Sequence, residues 1–191
     1  ESLNAAAKEA DVLLSGIYDK GFPVLNEGIR WFPAATAEMV QAAQTGYADP
    51  NVYPVDARGV TYTLGFTGIK RIGTAQFYLM ANKDKAGDVF DGKANYRLVV
   101  PKDAPVSRYW SVTAYDRETH ALIKNMDKAS VASITPGVQK NADGSVEVFF
   151  GAKAPEGKEA NWVPVDPDRT FELLFRLYGP EKPLFDKSWK L

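Results

Sequence analysis

YRLVVPKDAPVSRYWSVTAYD, residues 96–116, decides the fold, because it holds two β-type runs joined by a turn that cannot be helical. Tyr96 to Val100 is rich in branched and aromatic side chains, Pro101 and Pro105 bracket a polar bend, and Ser107 to Tyr115 then runs extended. Side chains alternate along a strand, so Trp110, Val112 and Ala114 share one face while Tyr109, Ser111, Thr113 and Tyr115 share the other. The first face reads as buried and the second as half polar. Two later runs keep the same period and can pair with this one: Val146, Val148 and Phe150 in SVEVFF, and Phe171, Leu173, Phe175 and Leu177 in FELLFRLY.

Upstream, Leu3 to Ile17 reads as a packing helix, with Leu3, Ala6, Ala7, Ala10, Leu13 and Leu14 at spacings of three and four and Gly16 and Gly21 near its end. Thr36 can cap a short helix through Gln44 that Gly46 ends. Beyond Pro50 the texture changes to short extended segments. Thr61 to Phe66 and Thr74 to Ala81 alternate, DKAGDVFDG over Asp84 to Gly92 is a turn-rich link, Val131 to Ile134 is a short strand, and Asp143-Gly144 turns the chain into SVEVFF. About seven short strands between turns predict an antiparallel β-sandwich or jelly-roll-like domain over 51–191 behind a helical lead-in over 1–50.

Composition bounds the function. The 191 residues suffice for one core that buries roughly 70% of the surface an unfolded chain exposes. A formal net charge of -1 offers no electrostatic footprint for nucleic acid, and no apolar run reaches the roughly 20 residues of a spanning helix. With no cysteine there is no disulfide framework, thiolate metal site or thiol nucleophile, which fits an exported bacterial protein better than a cytosolic one. Glu1 begins without the basic and apolar regions of a signal peptide, so the expectation is a chain soluble throughout or one from which a leader or larger N-terminal part has been removed.

Several fragments together resemble the bacterial family called domain of unknown function 1214, commonly the C-terminal half of proteins that begin with domain of unknown function 1254. They are YWSVTAYD from Tyr109 to Asp116, NADGSV from Asn141 to Val146, NWVP from Asn161 to Pro164, FRLYGP from Phe175 to Pro180, and Trp189, in the family's order. YPVDARG from Tyr53 to Gly59 and DGKANY from Asp91 to Tyr96 follow its pattern too. The resemblance covers roughly residues 50 to 191 and implies a β-rich, jelly-roll-like domain with a helical lead-in. It implies no reaction.

Chemistry-bearing residues each carry two readings. Trp162 and Asn161 can offer an indole and an amide to a sugar or aromatic ligand, or can plug the sandwich end and cap their own loop. Arg176 lies on the strand face opposite Phe171, Leu173, Phe175 and Leu177, where it meets a carboxylate (Asp116, Asp56 or Asp91) or holds a ligand carboxylate or phosphate. Unpaired buried charge is costly, so the ion pair is the safer expectation. His120, the single histidine, reads as an exposed loop residue, and no G-x-S-x-G elbow accompanies it. Asp84, Asp88 and Asp91 read as turn residues rather than calcium ligands, and Gly65, Gly68 and Gly73 form no nucleotide-binding loop.

The expected role is a non-catalytic binding or structural module for a small polar or carbohydrate-like ligand or a partner domain. Trp110, Tyr115, Asp116, Asn161, Trp162, Arg176 and Tyr178 are the candidate contacts, and no metal or cofactor is implied. Two alternatives stand beside it. One is a hydrolase or lyase with Asp116, Arg176 and Tyr178 around a pocket; the other is a self-associating protein with the N-terminal helix in its interface.

Overall fold

A computed structural model describes residues 2–20, 22–33, 35, 41, 59 and 75–191. The expected helix from Thr36 to Gln44 and strand from Thr61 to Phe66 lie outside these residues but for Gln41, as does Asp56. Two compact units emerge, Glu1–Pro23 with Pro33–Ile72, and Val24–Phe32 with Gly73–Leu191.

In the first unit, α1 spans Ser2–Lys20, a run of good helix formers without proline. Gly16 weakens a helix without stopping it, and α1 continues past it by a full turn. The expectation of a packing helix holds only at its end. Every residue from Ser2 to Leu13 is exposed, whereas Tyr18 is buried and meets Phe22 edge to face at 6.1 Å.

The second unit is mainly β. Its strands are β1 (Phe32–Pro33, where the first unit resumes), β2 (Gln76–Ala81), β3 (Phe90–Asp91), β4 (Tyr96–Val100), β5 (Val106–Asp116), β6 (Ser130–Ala132), β7 (Val146–Gly151), β8 (Trp162–Pro164) and β9 (Thr170–Pro180). One sheet runs β1-β2-β9-β5-β6, with β3 also on β9; the other runs β4-β7-β8. A one-turn helix, α2 (Lys182–Phe185), follows β9. The 11-residue strands β5 and β9 pair antiparallel from Tyr109 opposite Tyr178 to Asp116 opposite Phe171, and carry the large sheet.

The alternation seen in the sequence sets which side chains meet. Leu79, Trp110, Val112, Ala114, Phe171, Leu173, Phe175 and Leu177 from the large sheet join Val100, Val146, Val148, Phe150 and Val163 from the small one in a single buried cluster. Leu25 and Trp31 enter it from the segment before β1, and Trp189 from the C-terminal end. Each Val, Leu or Phe among them contributes about 1.5–3 kcal/mol by leaving water. The arrangement is sandwich-like. It departs from an all-antiparallel fold at β7 and β8, which pair in parallel, because residues 152–161 carry the chain back before Trp162 enters. The Trp162 indole then donates to the Gly151 carbonyl at 2.9 Å and ties the pair together.

Candidate functional site

The outer face of the large sheet gathers three of the candidate residues. On β9, Arg176 and Tyr178 share this face; on β5, Tyr109, Ser111, Thr113 and Tyr115; on β2, Tyr78, which stands opposite Arg176. Arg176 donates from Nη1 to Thr113 Oγ1 at 2.9 Å and from Nη2 to the Tyr115 hydroxyl. Its guanidinium carbon lies 5.8 Å from the ring centres of both Tyr78 and Tyr115, within cation–π range. Beside it, Tyr109 and Tyr178 stack with ring centres 4.2 Å apart. Burial pushes the Tyr178 phenol up from its ordinary value and the Tyr109 hydroxyl adds to this, while the Arg176 charge opposes it. Tyr178 is therefore neutral at physiological pH.

The ion pair expected for Arg176 is not formed: among the described residues no carboxylate lies within reach of it. Asp116 follows Trp110, Val112 and Ala114 on the alternate side of β5 and is taken by Arg169, while Asp91 accepts the Lys93 amide at 2.9 Å within its own turn. Among the described residues the fork keeps N–H donors without an acceptor. Asp116, Arg176 and Tyr178 thus do not converge on one pocket.

A second polar group forms where β5 ends and β9 begins. Asp116 is buried, and its Oδ1 accepts the amides of Glu118 (3.1 Å) and Thr119 (2.9 Å), the Thr119 hydroxyl (2.9 Å) and Arg169 Nη2 (3.0 Å). The Arg169 guanidinium, which also reaches Glu118 at 2.7 Å, is the main cause holding the Asp116 carboxyl down from 3.8 to about 2. Next to it Glu172, only 2% exposed, meets His120 Nδ1 at 2.9 Å and Arg117 Nη1 at 3.4 Å. His120 is thus no exposed loop residue: it closes the 117–119 turn with a positive φ of 52°, and its imidazole meets Glu172.

The remaining candidates lie elsewhere. Trp110 is buried and stacks on Phe175 at 5.6 Å inside the core. Asn161 is 1% exposed, with its amide donating to the carbonyls of Gln139 (2.9 Å) and Glu147 (2.8 Å) and its oxygen accepting the Gln139 amide (2.8 Å). Those bonds, with that of the Trp162 indole, tie two loops to the small sheet. Asp84 accepts the amides of Gly87 and Asp88 at 3.0 Å each, as a turn residue does. Among the described residues no group of three or more His, Cys, Asp or Glu is placed to hold a metal. No described helix is long and apolar enough to cross a membrane.

Sequence reasoning missed Glu172, Arg169 and Arg117. A glutamate within FELLFRLY was a visible signal, since a charge on a strand this apolar needs a partner.

A family model described as Protein of unknown function (DUF1214) matches residues 75–182. Among solved structures, that of the VPA0106 protein from Vibrio parahaemolyticus is 24% identical with a TM-score of 0.56, over 81% of this chain and 40% of that one. That of an uncharacterized protein from Burkholderia cenocepacia is 19% identical with a TM-score of 0.39, over 88% of this chain and 47% of that one. The chain therefore spans less than half the length of either, and the likeness to the Vibrio structure shows the fold alone. A search of curated proteins finds no match.

Proposed function

The chain belongs to the DUF1214 family, and from that premise we propose a non-catalytic binding module whose recognition surface is the Arg176 face of the large sheet. One observation carries this reading: a guanidinium in mid-strand that is framed by Tyr78, Thr113 and Tyr115 and has no carboxylate partner among the described residues. A charge so placed is costly unless an anion or hydrogen-bonding ligand completes it. The part of the fork that has no acceptor among the described residues suits a carboxylate or phosphate, and the phenol hydroxyls around it suit a polyhydroxylated, carbohydrate-like ligand.

Native mass spectrometry of the purified chain tests the reading. The expected result is mass above 21.0 kDa that vanishes on denaturing, and that is missing from folded Arg176→Ala protein. An Arg176→Ala chain that unfolds outright would instead make the residue structural. A bare mass in wild type, joined to thermal stability indifferent to added carboxylates and sugars, would sink the ligand.

A second reading, association with a partner domain or a second copy, is favoured by Leu3, Val12 and Leu13, which α1 leaves 84%, 72% and 52% exposed. Mass that rises with protein concentration supports it, and a strictly monomeric chain counts against it.

A further inference from the structure

The sheets of the second unit do not close on both sides. β6 lies against β8 at one edge, while a cleft of about 610 Å³ is lined by Ala81 of β2, Phe90 of β3 and Tyr96, Arg97 and Leu98 of β4. Its floor is core: Trp31, Phe90, Phe150 and Leu173 are buried, and Tyr96 packs on Phe90 edge to face at 5.0 Å. Its rim is cationic. Arg30, Lys83, Lys85 and Arg97 line it, with Asp84 as the one acidic side chain among the described residues and Leu191 beside them.

Asp84 offsets only part of this rim: its carboxylate accepts the Gly87 and Asp88 amides within its own loop and forms no ion pair with the four cations among the described residues. Arg97 meets Glu147 at 2.8 Å on the open surface, a pair of small worth when 60% of the arginine is in water. Arg30, Lys83 and Lys85 have no ion-pair partner among the described residues. Arg30 lies over Gly87, whose φ is +100° and where an added Cβ would stand 3.2 Å from the guanidinium. A bare turn thus lets the arginine settle at the mouth. On a chain of net charge -1, four cations around one apolar cleft are a local concentration of positive potential.

We propose that this cleft binds a small amphipathic acid, an aliphatic or aromatic body on the aromatic floor with one carboxylate or phosphate head at the Arg30–Lys83–Lys85 rim. The volume falls inside the roughly 300–1,000 Å³ of small-molecule sites. Apolar floor and charged rim demand the two ends of such a molecule separately: a neutral hydrocarbon leaves the rim unpaired, and a bare anion leaves the floor wet. The site shares no residue with the Arg176 face and does not depend on it.

Isothermal titration of the full chain with decanoate, decyl phosphate, 1-decanol and inorganic phosphate tests the proposal. Decanoate or decyl phosphate is expected to bind about tenfold or more tightly than 1-decanol or inorganic phosphate, and the tighter of the two acids identifies the head group. The Arg30→Gln/Lys85→Gln chain, whose changes fall on exposed side chains, is expected to lose that preference with its circular dichroism unchanged, while Arg176→Gln keeps it. Single Lys85→Gln serves if the double variant folds poorly. Equal affinity for acid and alcohol, affinity undiminished in the rim variants, loss of binding in Arg176→Gln alone, or no binding at millimolar ligand would each overturn the proposal.

Discussion

Protonating Asp116 removes an acceptor that Arg169, Thr119 and the Glu118 amide share, so this one side chain links the 116–120 turn to pH. Its folded pKa is about 2, below the 3.8 of an unperturbed aspartate. A depressed pKa contributes stability that is present above the unfolded value and is lost as pH falls from about 4 toward 2. Since Arg169 is 39% exposed, water screens part of the effect, leaving about 1–2 kcal/mol. Urea unfolding of Asp116→Asn should therefore show a deficit of that size at pH 7 that shrinks toward pH 2. A deficit constant with pH would assign the loss to turn geometry instead of charge. At this scale the sequence was partly legible. Asp116 stood out as a strand-end carboxylate, but its partner Arg169 lies in a loop 53 positions away that no periodicity connects to it. His120 was misread for the same reason, since nothing in RETH shows that the turn folds back onto Glu172.

β9 is the element on which the large sheet depends, flanked by β2 and β5 and touched by β3 at its start. Phe175, 0% exposed, stacks on Trp110 at 5.6 Å and stands 6.1 and 6.3 Å from Trp31 and Trp189, so three of the four tryptophans surround it. Phe175→Ala is expected to cost about 3–5 kcal/mol, with tryptophan emission shifting to the red and near-ultraviolet dichroism collapsing. A small loss with unchanged emission would mean the cluster repacks around the hole. The entry to β9 is fixed differently. A Cβ at Gly92 would lie 1.8 Å from the Asp166 carbonyl oxygen and 2.7 Å from that of Arg169. Backbone cannot step aside as a side chain can, so Gly92→Ala should cost about 1–3 kcal/mol and loosen the β3 contact first, read by amide exchange at Phe90 and Asp91. The long strands were legible because alternation over FELLFRLY and SRYWSVTAY leaves one register that buries the apolar side chains. β3 and β8 were not: two or three residues hold no period, and the parallel pairing of β8 is decided by the chain's return over residues 152–161.

Across the molecule, stability should be uneven in a way that amide hydrogen exchange can read. β5 and β9 place paired backbone in the middle of a sheet and above a core cluster, so their amides should exchange only through global unfolding of the second unit. α1 is the opposite case: most helical stability in proteins comes from tertiary packing, and in this 19-residue helix Ser2–Leu13 is exposed. Its first three turns should exchange orders of magnitude faster than β9, and should do so at any protein concentration if the chain acts alone. Protection of Leu3 to Leu13 that rises with concentration would show a second copy covering the helix. Protection as deep as that of β9 even in dilute protein would mean the helix end is packed in solution, against the exposure the structure gives it.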